Sequence, residues 1–535
     1  MVSSPVDPAG AAGAAGPASP VFPASLDTAR GGGAARVANE VLVTEASALD
    51  RGAVRAIARG SIVVLGPALL EATALRRAQV LSTLAGGDAV YGVNTGMGAQ
   101  SNVRLTADEQ ARHQRNLFLA RAVGGPPWLD DAEARAVLAV RLRMFLSGDA
   151  GVSADLCVRI AELLAAGVHP AVPRTGSGSS GEIIPLAHAF GVVVGIGQVL
   201  APPGASDPSA TVAAPDALAS AGLAPFVLGP KEGIALLAGV PGVTALAALR
   251  AAEVKECADQ LLAVAALSTV AIRSNRDPYL AVTARGDAAL ADVLQHFRVL
   301  VGPEPAPRSL QAPISFRVIG PVLAHLSRSV SALEAAVDRS LAAMTDSPAY
   351  SEGRFVGTAG FHGLDLAAHL DLVTAALVHA AEVSSARLHR LLDPGVTGIP
   401  AQLAQQPGPD AGLVAVHKRA AAVVHAMVRN AAPSYLGTIE TSQGQEDVQT
   451  FGWEAAESLR ATVAAAREVT ACELLGAHRA CRLSGATPPG PLADRLAGVD
   501  ALVPPGFEDR PFGVDIEALR RALAAGLGTG SGACR

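Results

Sequence analysis

Apolar residues recur at intervals of three and four over much of this chain, and few stretches alternate with period two. That is the pattern of helices with one buried face, not of sheet. Gly233–Thr269, Val318–Met344, Leu364–Leu392, Gly412–Arg429 and Gly452–Arg482 read as long helices, packed side by side in a mostly α fold whose core is a long-helix bundle. Ahead of them, Asp50–Gly60 and Gly66–Leu84 read as short helices leading to Ala89–Val93 and a Gly/Asn turn at Val93–Gly98. Ala107–Gly167 keeps a helical period with breaks at Gly148 and Gly151, and Pro170 and Pro173 end it. A Gly/Ser stretch, Thr175–Gly181, then runs into the apolar run Ile183–Leu200. This run is long enough to raise the question of a membrane span. It holds Pro185, His188 and Gln198 and lacks an aromatic belt or basic flank, so a buried helix is expected. Ala201–Ala224, rich in Pro, Ala and Ser, reads as an exposed excursion, and one more helix is expected near Ile516–Ala525.

These patterns divide the chain into an Ala/Gly/Pro-rich disordered tail (1–40), a smaller mixed N-terminal region (41–228), the central bundle (229–487) and a C-terminal extension (488–535). The tail has no positively charged start and no continuous apolar segment, unlike a signal peptide.

Composition narrows the function. With 50% hydrophobic residues, 17% charged and a net charge of −6, the chain is not a disordered protein. Its acidic balance and 3% aromatic content argue against nucleic-acid binding, which needs basic surface and stacking rings. Cys157, Cys257, Cys472, Cys481 and Cys534 are scattered with no CxxC pair. They predict a reduced, cytoplasmic chain with no metal site. The thin polar surface suggests an oligomer.

Gly176-Ser177-Gly178-Ser179-Ser180-Gly181 matches G-x-G-x-x-G, but the dinucleotide-binding reading needs a strand before it and an acid about twenty residues later. Two prolines precede it, and no Asp or Glu lies between Ile183 and Ser206. A flexible linker is the second reading, though both flanks are apolar. The third is chemical. In Ser179-Ser180-Gly181 the Gly181 nitrogen can attack the Ser179 carbonyl, since glycine lacks a Cβ and permits unusual backbone geometry. Loss of two waters would leave a 4-methylidene-imidazol-5-one, an electrophile built from the chain itself. A helix N-terminus behind it would stabilise developing negative charge.

The surrounding blocks favour the third reading. Tyr91-Gly92-Val93-Asn94-Thr95-Gly96-Met97-Gly98, Gln114-Arg115-Asn116-Leu117 and Gly178-Ser179-Ser180-Gly181-Glu182-Ile183-Ile184-Pro185-Leu186-Ala187-His188 come first. Gly229-Pro230-Lys231-Glu232-Gly233, Gly360-Phe361-His362-Gly363 and Gln443-Gly444-Gln445-Glu446-Asp447 follow in order. From about Leu42 to Leu483 the chain resembles the histidine and aromatic amino acid ammonia-lyases, which carry Tyr-Gly-Ile-Asn-Thr-Gly-Phe-Gly and Gly-Ala-Ser-Gly-Asp-Leu-Ala-Pro-Leu-Ala-His.

The resemblance implies a long-helix homotetramer with active sites shared between subunits, a methylidene-imidazolone from Ser179, Ser180 and Gly181, and no metal or dissociable cofactor. It makes Tyr91 the base, Arg317 (with Gln311 nearby) the carboxylate anchor, Gln445 and Glu446 the pair near the substrate amine, and Phe361 a pocket residue. Ala120-Arg121 falls on the substrate-selectivity pair, where arginine would favour an anionic or acceptor-rich amino acid. The departures remove polar groups. Ile314 stands where the family has a second tyrosine, Ala238 and Gly360 replace asparagines, Val240-Pro241 replaces Thr-Gln, and Glu182 replaces an aspartate. Asp277-Pro278-Tyr279 lies too far upstream to supply the missing tyrosine. The expected activity is elimination of ammonia from an α-amino acid. The alternatives are a 2,3-aminomutase and a non-catalytic member of the fold that acts as a binding protein.

Overall fold

The computed structural model describes residues 39–527 apart from 203–206, 208 and 304. The expected N-terminal tail therefore lies, but for its last two residues, outside the described residues, as does the end of the C-terminal extension. The described chain opens with β1 (Glu40–Val43) paired in parallel with β2 (Ile62–Leu65), Val41 opposite Val63. Between them runs α1 (Arg51–Ala58), whose first turn is capped by the Asp50 carboxylate. After α2 (Pro67–Ala85) a loop carrying Tyr91 leads to α3 (Ala107–Leu119). Capping boxes, in which the cap side chain and a glutamate three residues on satisfy each other's backbone amides, start α3 and α4 (Asp131–Leu146). Gly167, at φ +71°, ends α5 (Ala154–Ala166).

The apolar run that reads as one helix to Leu200 is shorter. After α6 (Ile183–Gly191) and one 3-10 turn, Gly195 turns left-handed at φ +74°. The chain then enters β3 (Gln198–Leu200), antiparallel to β4 (Thr211–Ala213), followed by α7 (Ala214–Ser220). The expected excursion thus contains a strand and a helix.

The helix predicted over Gly233–Thr269 is two, α8 (Glu232–Leu237) and α9 (Pro241–Ala271). Gly239 is left-handed at φ +81°, and Pro241 at the head of α9 has no amide hydrogen to continue α8. Then come α10 (Ala288–Val301), α11 (Ile314–Arg317), α12 (Ile319–Ala342), a hairpin of β5 (Ala349–Ser351) and β6 (Arg354–Val356), and α13 (Leu364–Leu391). The remainder is α14 (Pro394–Thr397), α15 (Val414–Val428), α16 (Gly452–Ser484), α17 (Gly490–Asp500) and α18 (Phe512–Ala524).

α9, α12, α13 and α16 pack against one another as the bundle. A buried polar tie locks three of them. Glu473 of α16, fully buried, accepts hydrogen bonds from Ser268 of α9 (2.7 Å) and Ser384 of α13 (2.5 Å), and from Arg387 of α13 at 2.8 and 2.9 Å. Removing one partner of such a buried pair costs about 3–5 kcal/mol. The spans Glu232–Ala271 and Gly360–Leu391 are apolar and long enough to cross a membrane, but their most apolar windows are 89% and 67% buried within the protein. They are core helices of the bundle.

Candidate active site

The Tyr91 loop is held by its own side chains. Asn94 Oδ1 accepts the Val90 amide at 2.8 Å, and Asn94 Nδ2 donates to the Asp88 carbonyl at 2.7 Å. Gly96 is required: a Cβ there would lie 2.5 Å from the Gln100 carbonyl oxygen. The loop leaves Tyr91 exposed at the rim of a cavity, its phenol oxygen accepting the Gly98 amide at 2.8 Å.

Ser179-Ser180-Gly181 leads into α6 beside that rim. The Ser180 amide donates to Glu446 Oε2 (3.1 Å) and the Ser180 hydroxyl to the Val448 carbonyl (2.9 Å). The Ser179 hydroxyl oxygen is buried without a partner. Gly181 is left-handed at φ +76°, facing the Gly239 carbonyl and Phe361.

Behind the triplet lies a layer of buried charge. Glu182 reaches the first turn of α9, accepting the amides of Gly242 (2.7 Å) and Val243 (2.6 Å). Residue 242 must be glycine for this, since a Cβ would meet Trp453 at 2.3 Å and Glu182 Oε2 at 2.7 Å. Burial pushes the Glu182 carboxyl up to about 7, against the two amides and Arg141. Arg141, itself buried and pushed down by that burial to about 10, donates to the Ala238 carbonyl at 2.6 Å. A cation thus meets the C-terminal end of α8 and a carboxylate the N-terminal end of α9, each the favourable sign for its helix end. Together they fix the 238–240 break. Lys231, fully buried, pairs with Asp346 at 2.5 Å; burial pushes the lysine down and the aspartate up.

The break, the triplet and the Tyr91 loop enclose a cavity of about 560 Å³, with Phe361, Gln445 and Glu446 completing its lining. Glu446 is oriented by Thr441, whose hydroxyl donates to it at 3.0 Å. Ala238 lines the cavity. Gly360 is a close-approach glycine, since a Cβ would lie 2.3 Å from the Met344 carbonyl oxygen. The backbone occupies the space where a side chain would begin.

Of the residues expected at the site, Tyr91, Ser180, Gly181, Phe361, Gln445 and Glu446 line this cavity, and Ser179 stands behind it. Gln311 and Arg317 do not. They line a separate cavity of about 480 Å³ with Ile314, where Arg317 donates to Gln311 Oε1 at 3.1 Å. Ala120 is exposed at the end of α3, and Arg121 is half-buried next to Met97. Tyr279 is a core residue, its hydroxyl donating to the Phe316 carbonyl at 2.6 Å. Arg141 and Asp346 were missed: neither belongs to a motif, and only their burial singles them out. Lys231 could have been suspected from its place in Gly229-Pro230-Lys231-Glu232-Gly233. Among the described residues no cluster of His, Cys, Asp and Glu could hold a metal ion.

The aromatic amino acid lyase family model matches residues 49–499. Histidine ammonia-lyase of Anaeromyxobacter dehalogenans is 34% identical over 506 residues, spanning 91% of this chain and 99% of the relative. Among solved structures, tyrosine aminomutase from Streptomyces globisporus superposes with a TM-score of 0.84 at 26% identity, covering 92% of this chain and 98% of that one. Ergothionase from Treponema denticola shares the fold, with a TM-score of 0.86 at 22% identity over 92% of this chain and all of that one. The triplet, the tyrosine loop and the long-helix bundle therefore have one common explanation: this chain belongs to the aromatic amino acid lyase family, which includes the histidine ammonia-lyases.

Proposed function

We propose that the protein eliminates ammonia from an α-amino acid, using a methylidene-imidazolone formed from Ser179, Ser180 and Gly181. The observation that carries this reading is the meeting of Tyr91, Ser180, Gly181 and Glu446 around one cavity. The residues fit the prosthetic group. Gly181 already has the backbone conformation closed to most side chains, and the 238–240 break stands beside it. Ring closure joins the Gly181 nitrogen to the Ser179 carbonyl carbon, whose oxygen leaves as water with the amide hydrogens of Gly181 and Ser180. The Ser180 hydroxyl and its Cα hydrogen leave as a second water. When formed, the group supplies an electrophilic carbon and an electron sink.

The side chains divide the remaining work. Tyr91 takes the proton from the substrate carbon β to the carboxylate, with the Gly98 amide fixing the ring and leaving the oxygen to act as acceptor. Glu446 receives the substrate ammonium, and Phe361 packs on the substrate body. Arg317, with Gln311, would hold the substrate carboxylate from a second copy of the chain, in keeping with its place in a separate cavity within one chain and with a homotetramer. The four described cysteines, free and buried, support a reducing, cytoplasmic setting. Aminomutase chemistry uses the same residues and differs in returning the amine to the β carbon. The likeness to a tyrosine aminomutase favours keeping it as a second reading.

The test is the intact mass of the purified chain with peptide mapping over residues 175–231. A deficit of two waters within Ser179–Gly181, together with ammonia release from an amino acid, is expected. An unmodified triplet would overturn the mechanism and leave a binding protein built on the same fold.

A further inference from the structure

One short segment, residues 344–348, stands behind both neighbours of Gly181. A Cβ on Gly181 would lie 3.6 Å from the Gly239 carbonyl oxygen and 3.8 Å from Phe361. Gly239 is in turn closed against Thr345, whose Oγ1 is 2.7 Å from where a Gly239 Cβ would sit. Gly360, next to Phe361, is closed against the Met344 carbonyl oxygen at 2.3 Å by the same measure. A shift of the segment is therefore passed to the triplet through two close packing contacts. The same segment continues into Ser347 and Pro348, which line the cavity.

An ion pair holds this segment. Lys231 Nζ donates to Asp346 Oδ2 at 2.5 Å, and both side chains are buried. The Asp346 carbonyl also accepts the Thr358 hydroxyl at 2.7 Å. Lys231 makes its contact from a left-handed backbone, φ +76° at the start of α8. Residues other than glycine seldom hold that conformation unless their surroundings impose it. Stability alone explains such a pair poorly, because apolar side chains of similar volume often replace a buried ion pair without loss. Distance is what they do not reproduce. Apolar atoms pack at about 3.5–4.0 Å, so an apolar pair would leave the segment about 1 Å further from α8.

Resting on the lyase reading above, we infer that Lys231 and Asp346 are positioning residues for the formation of the prosthetic group. They press residues 344–348 against Gly239 and Gly360 and so hold Ser179–Gly181 in the close geometry from which the ring shuts. In that step the Gly181 nitrogen bonds to the Ser179 carbonyl carbon, whose oxygen leaves as water with the amide hydrogens of Gly181 and Ser180. The pair touches none of the reacting atoms and keeps its own proton throughout.

The test follows the two-water deficit of the full-length chain by intact mass at intervals after cell-free synthesis. Lys231→Met combined with Asp346→Leu removes both charges while keeping an unbranched and a branched side chain of similar shape. The double variant should fold with a Tm near the parent's. It should nevertheless lose its two waters about tenfold or more slowly, since a misplacement of about 1 Å can cost about 100-fold in rate. Thr345→Ala, which shortens the side chain packed on Gly239, should slow the loss as well. Thr345→Val, which keeps its shape, should mature at the parent's rate. A merely structural role would lower Tm without dividing the alanine from the valine variant. A folded double variant that matures as fast as the parent, or equal rates for Thr345→Ala and Thr345→Val, would overturn the inference; if the double variant does not fold, the Thr345 variants decide. These outcomes beside a parent that does mature remove the positioning role alone. An unmodified triplet in the parent removes the lyase reading and the positioning role with it.

Discussion

The carboxylate of Glu446 accepts the backbone amide of Ser180 at 3.1 Å. One side chain therefore holds the nitrogen at the centre of the triplet and faces the cavity that would receive the substrate amine. The two duties can be separated. Glu446→Gln keeps an acceptor for the Ser180 amide but loses the charge, so the two-water deficit should persist while KM rises about tenfold or more. Glu446→Ala should lose both. Mass spectrometry and ammonia-release kinetics on the two variants check this, and equal KM values for Glu446→Gln and the parent would remove Glu446 from amine binding.

Ser180→Ala separates chemistry from stability in another way. The hydroxyl of the unmodified triplet makes one hydrogen bond, to the Val448 carbonyl, and the modified parent has already given it up, so the change should cost at most about 0.5–1.5 kcal/mol. The same change removes the oxygen that must leave as water. Activity should vanish while Tm moves by a few degrees at most, about what such a ΔΔG gives a chain this long. Retained turnover would show that the reaction does not pass through this serine.

Glu182 should write a pH dependence into the fold. Its carboxyl is raised by burial to about 7, from an ordinary value of about 4.3. The folded state therefore binds a proton that the unfolded chain has released between those limits, and this contribution to stability is lost as pH rises through them. The stability of the parent relative to Glu182→Gln should thus fall as pH rises from about 5 to about 7, and stay level above. Thermal unfolding of both proteins across that range tests it. A difference that does not change with pH would place the Glu182 carboxyl in the ordinary range.

The bundle was legible because its helices are long and each keeps one apolar face, so periodicity alone locates α12, α13 and α16 to within a few residues. The break between α8 and α9 was not. Apolar residues run through Leu236, Leu237, Ala238 and Val240, and the burial of both helices hides a change of direction that polarity would have marked. Gly195, closing the 3-10 turn after α6, ended the helical stretch inside a run whose composition stays apolar up to Leu200, unmarked for the same reason. At the site, motif blocks pointed to Tyr91, Ser180 and Glu446 because the chemistry constrains their local sequence. The contact of Glu182 with Gly242 spans 60 positions and leaves no local trace. Arg141 sits in an otherwise ordinary helical pattern, and only three-dimensional packing shows that it ends α8.

The resemblance sets Ala238 and Gly360 against asparagines of the family, and the structure separates the two positions. Ala238 already has a Cβ and lines the cavity, so an amide added there projects into open space. If it meets the developing negative charge, it restores a donor of the kind whose loss costs about 100–1000-fold in rate. Ala238→Asn should fold with little change in Tm and raise kcat by about tenfold or more, below that ceiling because the surroundings are not built around the new group. Gly360 has no such room, with the Met344 carbonyl oxygen 2.3 Å from where a Cβ would sit. Gly360→Asn must push the 344–345 backbone aside. It should cost about 1–3 kcal/mol, as overpacked sites do, and the strain would reach Asp346 and, through it, Lys231. Differential scanning calorimetry and steady-state kinetics on the two single variants decide the matter. A stable Gly360→Asn protein, or an Ala238→Asn protein slower than its parent, would contradict this account of the two positions.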